Sequence, residues 1–120
     1  DSKLILQALF NLIENAVKHT STDTKINLSI RYASYEQIEF AVIDEGPGIS
    51  LEEQQKIFEP FYTGSNKYFK DNQKESMGLG LYLVQTILHK HQSNLQYKPN
   101  QPHGSIFYFN IYTDFNEGDV

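Results

Sequence analysis

A chain of 120 residues, 39% hydrophobic and 21% charged, is sized and composed for one folded domain, not for a disordered or fibrous protein. Its net charge of −5, with the acids scattered and Arg31 the sole arginine, argues against a nucleic-acid surface. Cysteine is absent, which excludes disulfides and thiolate metal sites and suits the cytosol, and no apolar run approaches the about 18 residues of a membrane span.

The chain opens without a charged-then-apolar preface, so no leader is expected, and it contains no repeats. Asp1 or Ser2 can cap a helix to about His19, with Ile5, Leu9, Leu12, Ile13, Ala16 and Val17 as its apolar face. "TSTD" (20–23) breaks it. Residues 25–33 alternate Ile26, Leu28, Ile30 and Tyr32 to one side, which predicts a half-buried strand, and 38–44 predicts a second strand in a hairpin with the first. "DEGPGIS" (44–50) is a loop, after which Ser50 and Glu53 form a capping box for a short helix stopped by Pro60. Residues 62–77 are polar and aperiodic, a length that in a compact domain points to a functional or moving loop. A helix is predicted from about Gly80 to His91, burying Leu83, Val84, Ile87 and Leu88, and strands at 94–98 and 105–112 follow. The order predicts a single α/β (α+β) two-layer sandwich over 1–120, with helices on one face of a mixed, mostly antiparallel sheet.

Within "LFNLIENAVKHT" the spacing places Asn11, Asn15 and Lys18 on one flank of the first helix. Carboxamide oxygens are hard, neutral ligands of the kind Mg²⁺ accepts while keeping its waters and phosphate oxygens. Lys18 could meet a phosphate as a point charge. The spacing alone suits a solvated helix face equally well. In "DEGPGIS" the glycines allow backbone to approach a ligand, and Asp44 at a strand end could accept from the amino group of adenine and repel guanine. A turn with a capping acid would use the same residues. "MGLGLYLV" sets Gly78 and Gly80 before a helix N-terminus, which favours phosphate, though it could equally be a close helix–sheet approach. Phe58 and Phe61 in "IFEPFYTG" read either as core aromatics or as a hinge for the loop, whose Lys67, Lys70 and Lys74 could then reach a terminal phosphate.

In that order, "NLIENAVKH", "DEGPGI", "IFEPFYTG" and "MGLGLYLV" resemble the N, G1, F and G2 boxes of the ATP-binding catalytic domain of sensor histidine kinases, a Bergerat-type fold, from Asp1 to about Tyr112. The resemblance implies ATP and Mg²⁺ as cofactors. Asn15 would be the main Mg²⁺ ligand with Asn11 assisting, Lys18 would contact phosphate and His19 would lie beside the nucleotide. Asp44 would hold the adenine amino group, with Gly46, Gly48 and Ile49 shaping the pocket. Phe58, Phe61 and Lys67 would belong to the site, Gly78, Leu79, Gly80 and Leu81 would cover the phosphates, and 62–77 would be the ATP lid. No residue of this chain is singled out as catalytic.

Ser76 stands where the family commonly has a third glycine. The family also usually has a strand ahead of the N box and a dimerisation segment bearing an acceptor histidine, and none of His19, His89, His91 or His103 has that context. The resemblance therefore implies a piece of a longer, membrane-anchored receptor, lying in the cytosol without membrane contact of its own. Its partners would be ATP, its dimerisation domain and a response regulator, and not nucleic acid. The alternatives are an ATPase of the same fold or a non-catalytic nucleotide-binding module. Those ATPases place a glutamate base where this chain has Asn11, which cannot accept a proton at neutral pH.

Overall fold

A computed structural model describes residues 2–59 and 79–113, and the following holds for those residues. Helix α1 spans Ser2–Lys18, strand β1 Ile26–Ser34, strand β2 Gln37–Asp44, helix α2 Leu51–Gln54, helix α3 Leu79–Lys90, strand β3 Gln96–Pro99 and strand β4 Ser105–Tyr112. The strands form one sheet in the order β1-β2-β4-β3. All its pairings are antiparallel, so the expected parallel component is not found among the described residues. The reason is connectivity: each strand reaches its neighbour by a hairpin, or by a path that returns β4 alongside β2.

The helices cover one face. Val42 and Phe40 of β2 lie opposite Phe107 and Phe109 of β4, and the rings of Phe40 and Phe109 stack at 5.2 Å. Against them α1 lays Ala8, Leu9, Leu12 and Ala16, and α3 lays Val84 and Leu88. Leu12, Leu88, Val42, Val84 and Phe109 are wholly enclosed, each contributing about 1.5–3 kcal/mol by burial.

Five apolar positions expected to face the core are exposed. Ala8 is buried, whereas Val17 is 59% exposed, because the contact stripe of α1 turns toward its Ala8–Ala16 side. Leu83 is 47% exposed, and Leu81 packs on the core instead, three residues before Val84. Leu28, Ile30 and Tyr32 lie opposite Val42, Phe40 and Ile38, hence on the helix side, yet all three are exposed. β1 is an edge strand, and the helical layer is centred on β2 and β4.

The end signals behave as read, within limits. Ser50 Oγ accepts the Glu53 N–H at 3.3 Å, but α2 stops at Gln54, before Pro60, which lies outside the described residues. α3 closes with Gln92 at φ +60, Ser93 N–H donating to the Leu88 carbonyl and Gln92 N–H to that of His89, a Schellman ending without its usual glycine.

Candidate functional site

The last turn of α1 and the end of β2 meet at one corner of the sandwich. Asn11 and Asn15 are half-buried on the flank beside the Ala8–Leu12–Ala16 stripe, and Lys18 is exposed one turn on. Gln7 Nε2 donates to Asn11 Oδ1 at 3.1 Å. His19 N–H donates to the Asn15 carbonyl at 3.1 Å and Thr20 Oγ1 to the Ala16 carbonyl at 2.8 Å, so hydrogen bonding carries past Lys18 and fixes His19 relative to the asparagines. The pKa of His19 is held below its ordinary 6.5, first by loss of solvation and then by the Lys18 ammonium, while the Asp44 carboxylate opposes both. Lys18 and Asp44 therefore both lie within electrostatic reach of one imidazole.

Asp44 closes β2 in register with Ile26 on one side and Ser105 on the other, and is 6% exposed. Its Oδ1 accepts the Gly46 N–H at 2.8 Å, an Asx turn that starts the loop. A side chain at Gly46 would meet the Thr20 methyl at 2.7 Å, so the loop lies flat on the end of α1 because glycine stands there. The turn between β3 and β4 holds the loop from the other side. Asn100 Nδ2 donates to the Asp44 carbonyl at 2.9 Å, His103 Nδ1 to the Gly46 carbonyl at 3.0 Å, and Tyr97 Oη accepts the Ile49 N–H at 3.2 Å. Gly104, at φ +120, sits where a Cβ would overlap the Asp44 carbonyl oxygen.

An open cleft of about 610 Å³ lies at this corner, with Lys18, His19, Thr20, Gly46, Pro47 and His103 among its walls. Of the residues expected at the site, Lys18, His19 and Gly46 thus line it. Asn11, Asn15, Asp44, Gly48 and Ile49 are close in the fold but are not among its walls. Ile49, Phe58 and Leu81 pack against the core. Gly80 is in the first turn of α3, where a Cβ would meet nothing within 4 Å, and Leu79 opens that helix. Phe61, Lys67, Gly78 and the stretch 62–77 lie outside the described residues. Sequence reasoning missed Tyr97, Asn100 and His103. The only local hint was a histidine next to a glycine in a turn, and their partners lie far away in the chain.

No cluster of three or more His, Cys, Asp or Glu side chains among the described residues could hold a metal ion. The donors at the corner are instead neutral carboxamides with an adjacent ammonium, which fits a divalent ion carried on a phosphorylated ligand better than a resident metal.

A two-layer sandwich with an amide-bearing helix flank, an acid-and-glycine loop and a glycine in the first turn of α3 defines a nucleotide-binding domain of the GHKL type. Residues 1–114 match the family described as Histidine kinase-, DNA gyrase B-, and HSP90-like ATPase, and the chain belongs to that family. It is 38% identical over 111 residues to the Adaptive-response sensory kinase SasA of Crocosphaera subtropica (strain ATCC 51142 / BH68), covering 92% of this chain and 28% of that protein. It is 34% identical to the SasA of Rippkaea orientalis (strain PCC 8801 / RF-1), covering 92% of this chain and 27% of that protein. Among solved structures, the catalytic domain of histidine kinase ThkA in nucleotide-free form superposes with a TM-score of 0.77 at 30% identity, covering 94% of this chain and 69% of that one. The mycobacterial sensor histidine kinase MprB shares the fold, with a TM-score of 0.80 at 24% identity over 93% of this chain and 74% of that one. The chain is thus homologous to histidine kinase catalytic domains and spans 28% of the length of its SasA relative.

Proposed function

We propose that this chain is the catalytic and ATP-binding part of a two-component sensor histidine kinase, transferring the γ-phosphoryl of ATP to a histidine on a dimerisation domain outside this chain. One observation carries the reading: the end of α1 and the loop that follows Asp44 wall a single open cleft, with Lys18 and His19 on one side and Gly46 and Pro47 on the other. A nucleotide spanning that corner would have its base toward the acid and its phosphates toward the amides and the ammonium. Bound MgATP would supply the phosphoryl group and a divalent charge to neutralise it. Asn15 and Asn11 would ligate the metal through their amide oxygens, Lys18 would offset phosphate charge, and Asp44 would orient the base. Positioning and charge neutralisation are what phosphoryl transfer chiefly asks of a protein.

Kinase is favoured over ATPase by Asn11, whose oxygen accepts from the Gln7 amide. That position offers no proton acceptor for activating water. By analogy with ThkA, which has been solved in complex with the response regulator TrrA, the downstream partner would be a response regulator. A cytosolic place beneath a membrane anchor belongs to the same proposal. Among the described residues no helix is long and apolar enough to cross a membrane.

Titration of the purified chain with a fluorescent ATP analogue, with and without Mg²⁺, tests the binding step. Saturable, Mg²⁺-dependent binding is expected, and its absence would overturn the reading. Joining the chain to its own dimerisation domain should yield acid-labile phosphohistidine, whereas brisk steady-state hydrolysis by the chain alone would point to an ATPase.

A further inference from the structure

We propose that His103, on the turn between β3 and β4, is a positioning residue for base recognition, acting through Gly46 on the Asp44 carboxylate. The inference rests on the nucleotide-site reading above and extends it to a part of the chain outside the four sequence boxes.

Gly46 is held through both of its flanking peptide groups. Its N–H donates to Asp44 Oδ1 at 2.8 Å and its carbonyl accepts from His103 Nδ1 at 3.0 Å. Its open Cα face lies against the Thr20 methyl. A carbonyl oxygen only accepts, so Nδ1 of His103 carries the proton. The carboxylate of Asp44 is thereby aimed by the Glu45–Gly46 amide, and the adjoining Gly46–Pro47 carbonyl is held by His103. The turn that presents His103 is itself anchored to the same strand end. Asn100 Nδ2 donates to the Asp44 carbonyl at 2.9 Å, and Asn100 N–H to the Gly104 carbonyl at 3.1 Å. Gly104 packs against that strand end with no room for a Cβ, so the turn is seated directly on the end of β2. His103 also lines the cleft alongside Lys18, His19 and Gly46, although 57 positions separate it from Gly46 in the chain.

A hydrogen bond of this kind, lost from a group one step removed from the ligand, changes an equilibrium by roughly 2- to 10-fold. The consequence is specific. Releasing the Gly46 carbonyl loosens the carboxylate that would tell an amino group from a carbonyl on the base, so discrimination should suffer along with affinity.

The test compares wild type, His103→Ala and His103→Asn in competition titrations of ATP and GTP against a fluorescent ATP analogue in Mg²⁺, with the melting temperature measured alongside. Asparagine carries an N–H donor the same number of bonds from Cα as Nδ1. The expected result is a several-fold loss of ATP affinity and a narrowed ATP-to-GTP ratio in His103→Ala, with both largely restored in His103→Asn. Equal losses for ATP and GTP, or unchanged affinities in His103→Ala, would overturn the proposal while leaving the nucleotide site intact. Failure of the wild type to bind either nucleotide would overturn the site reading and the proposal together.

Discussion

The phenolic oxygen of Tyr97 accepts the backbone N–H of Ile49 at 3.2 Å, tying the hairpin β3–β4 to the far end of the Asp44–Ser50 loop. The ring is supported by Phe107 at 5.2 Å, so its packing does not depend on the hydroxyl. Tyr97→Phe should remove about 1 kcal/mol of stability while speeding amide exchange at Ile49 more than in the strands, as measured by thermal denaturation and hydrogen exchange. Unchanged exchange at Ile49 would show that the bond does not restrain the loop.

Asp44→Asn keeps an Oδ1 that can accept the Gly46 N–H, so the Asx turn should survive and the melting temperature should move little. Affinity for ATP should fall and preference over GTP should relax, because an amide can both donate and accept. Competition titration reads both, and unchanged affinities for the two nucleotides would remove Asp44 from base recognition.

Asn15→Ala replaces a half-buried amide on the flank of α1 by the best helix former. Stability should hold or rise slightly, and nucleotide binding should lose its response to Mg²⁺. A marked fall in melting temperature would instead assign Asn15 to the fold.

The lowered pKa of His19 makes stability depend on pH with a definite sign. Between its folded value and the ordinary 6.5, the unfolded chain binds a proton that the folded chain refuses. The contribution of His19 to stability is therefore intact above 6.5 and is lost as pH falls through that window. Melting temperature against pH should be flatter in His19→Gln than in wild type. In an NMR titration the His19 pKa should drop further in Asp44→Asn and rise in Lys18→Gln.

Two glycines should answer an alanine in opposite ways. At Gly104 the new methyl would collide with the Asp44 carbonyl at a φ of +120, so Gly104→Ala should cost about 3 kcal/mol or more. At Gly80 a Cβ meets nothing within 4 Å, so Gly80→Ala should be neutral or stabilise by up to about 1 kcal/mol. Loss of nucleotide binding in that stable variant, read by the same titration, would mean that a ligand occupies the space.

The sequence carried the fold well wherever the information is local. Periodicity located α1, α3 and β4, and Ser50 located the start of α2. Apolar alternation in β1 correctly set Ile26, Leu28, Ile30 and Tyr32 on one side, but the half-burial expected of them holds only for Ile26. It could not say that the helices stop short of an edge strand, because the covering layer comes from distant parts of the chain. The exchange of Leu83 for Leu81 has a similar cause, since either residue completes a helical stripe and packing chooses between them. At the cleft, the expected residues that line it are those whose placement is local: Lys18 and His19 at the end of α1, and Gly46 in the loop after β2. Tyr97, Asn100 and His103 were not legible, because their role exists only across a turn brought home by sheet pairing.

Asp44 ends β2 between two hydrogen-bonded neighbours, Ile26 and Ser105, so it rides on the inner strands of the sheet and not on its margin. Heating loosens helix ends and turns well before it parts such strands. The Asp44 end of β2 will therefore keep its shape until the sheet itself gives way, while the end of α1 that carries Lys18 and His19 slackens first.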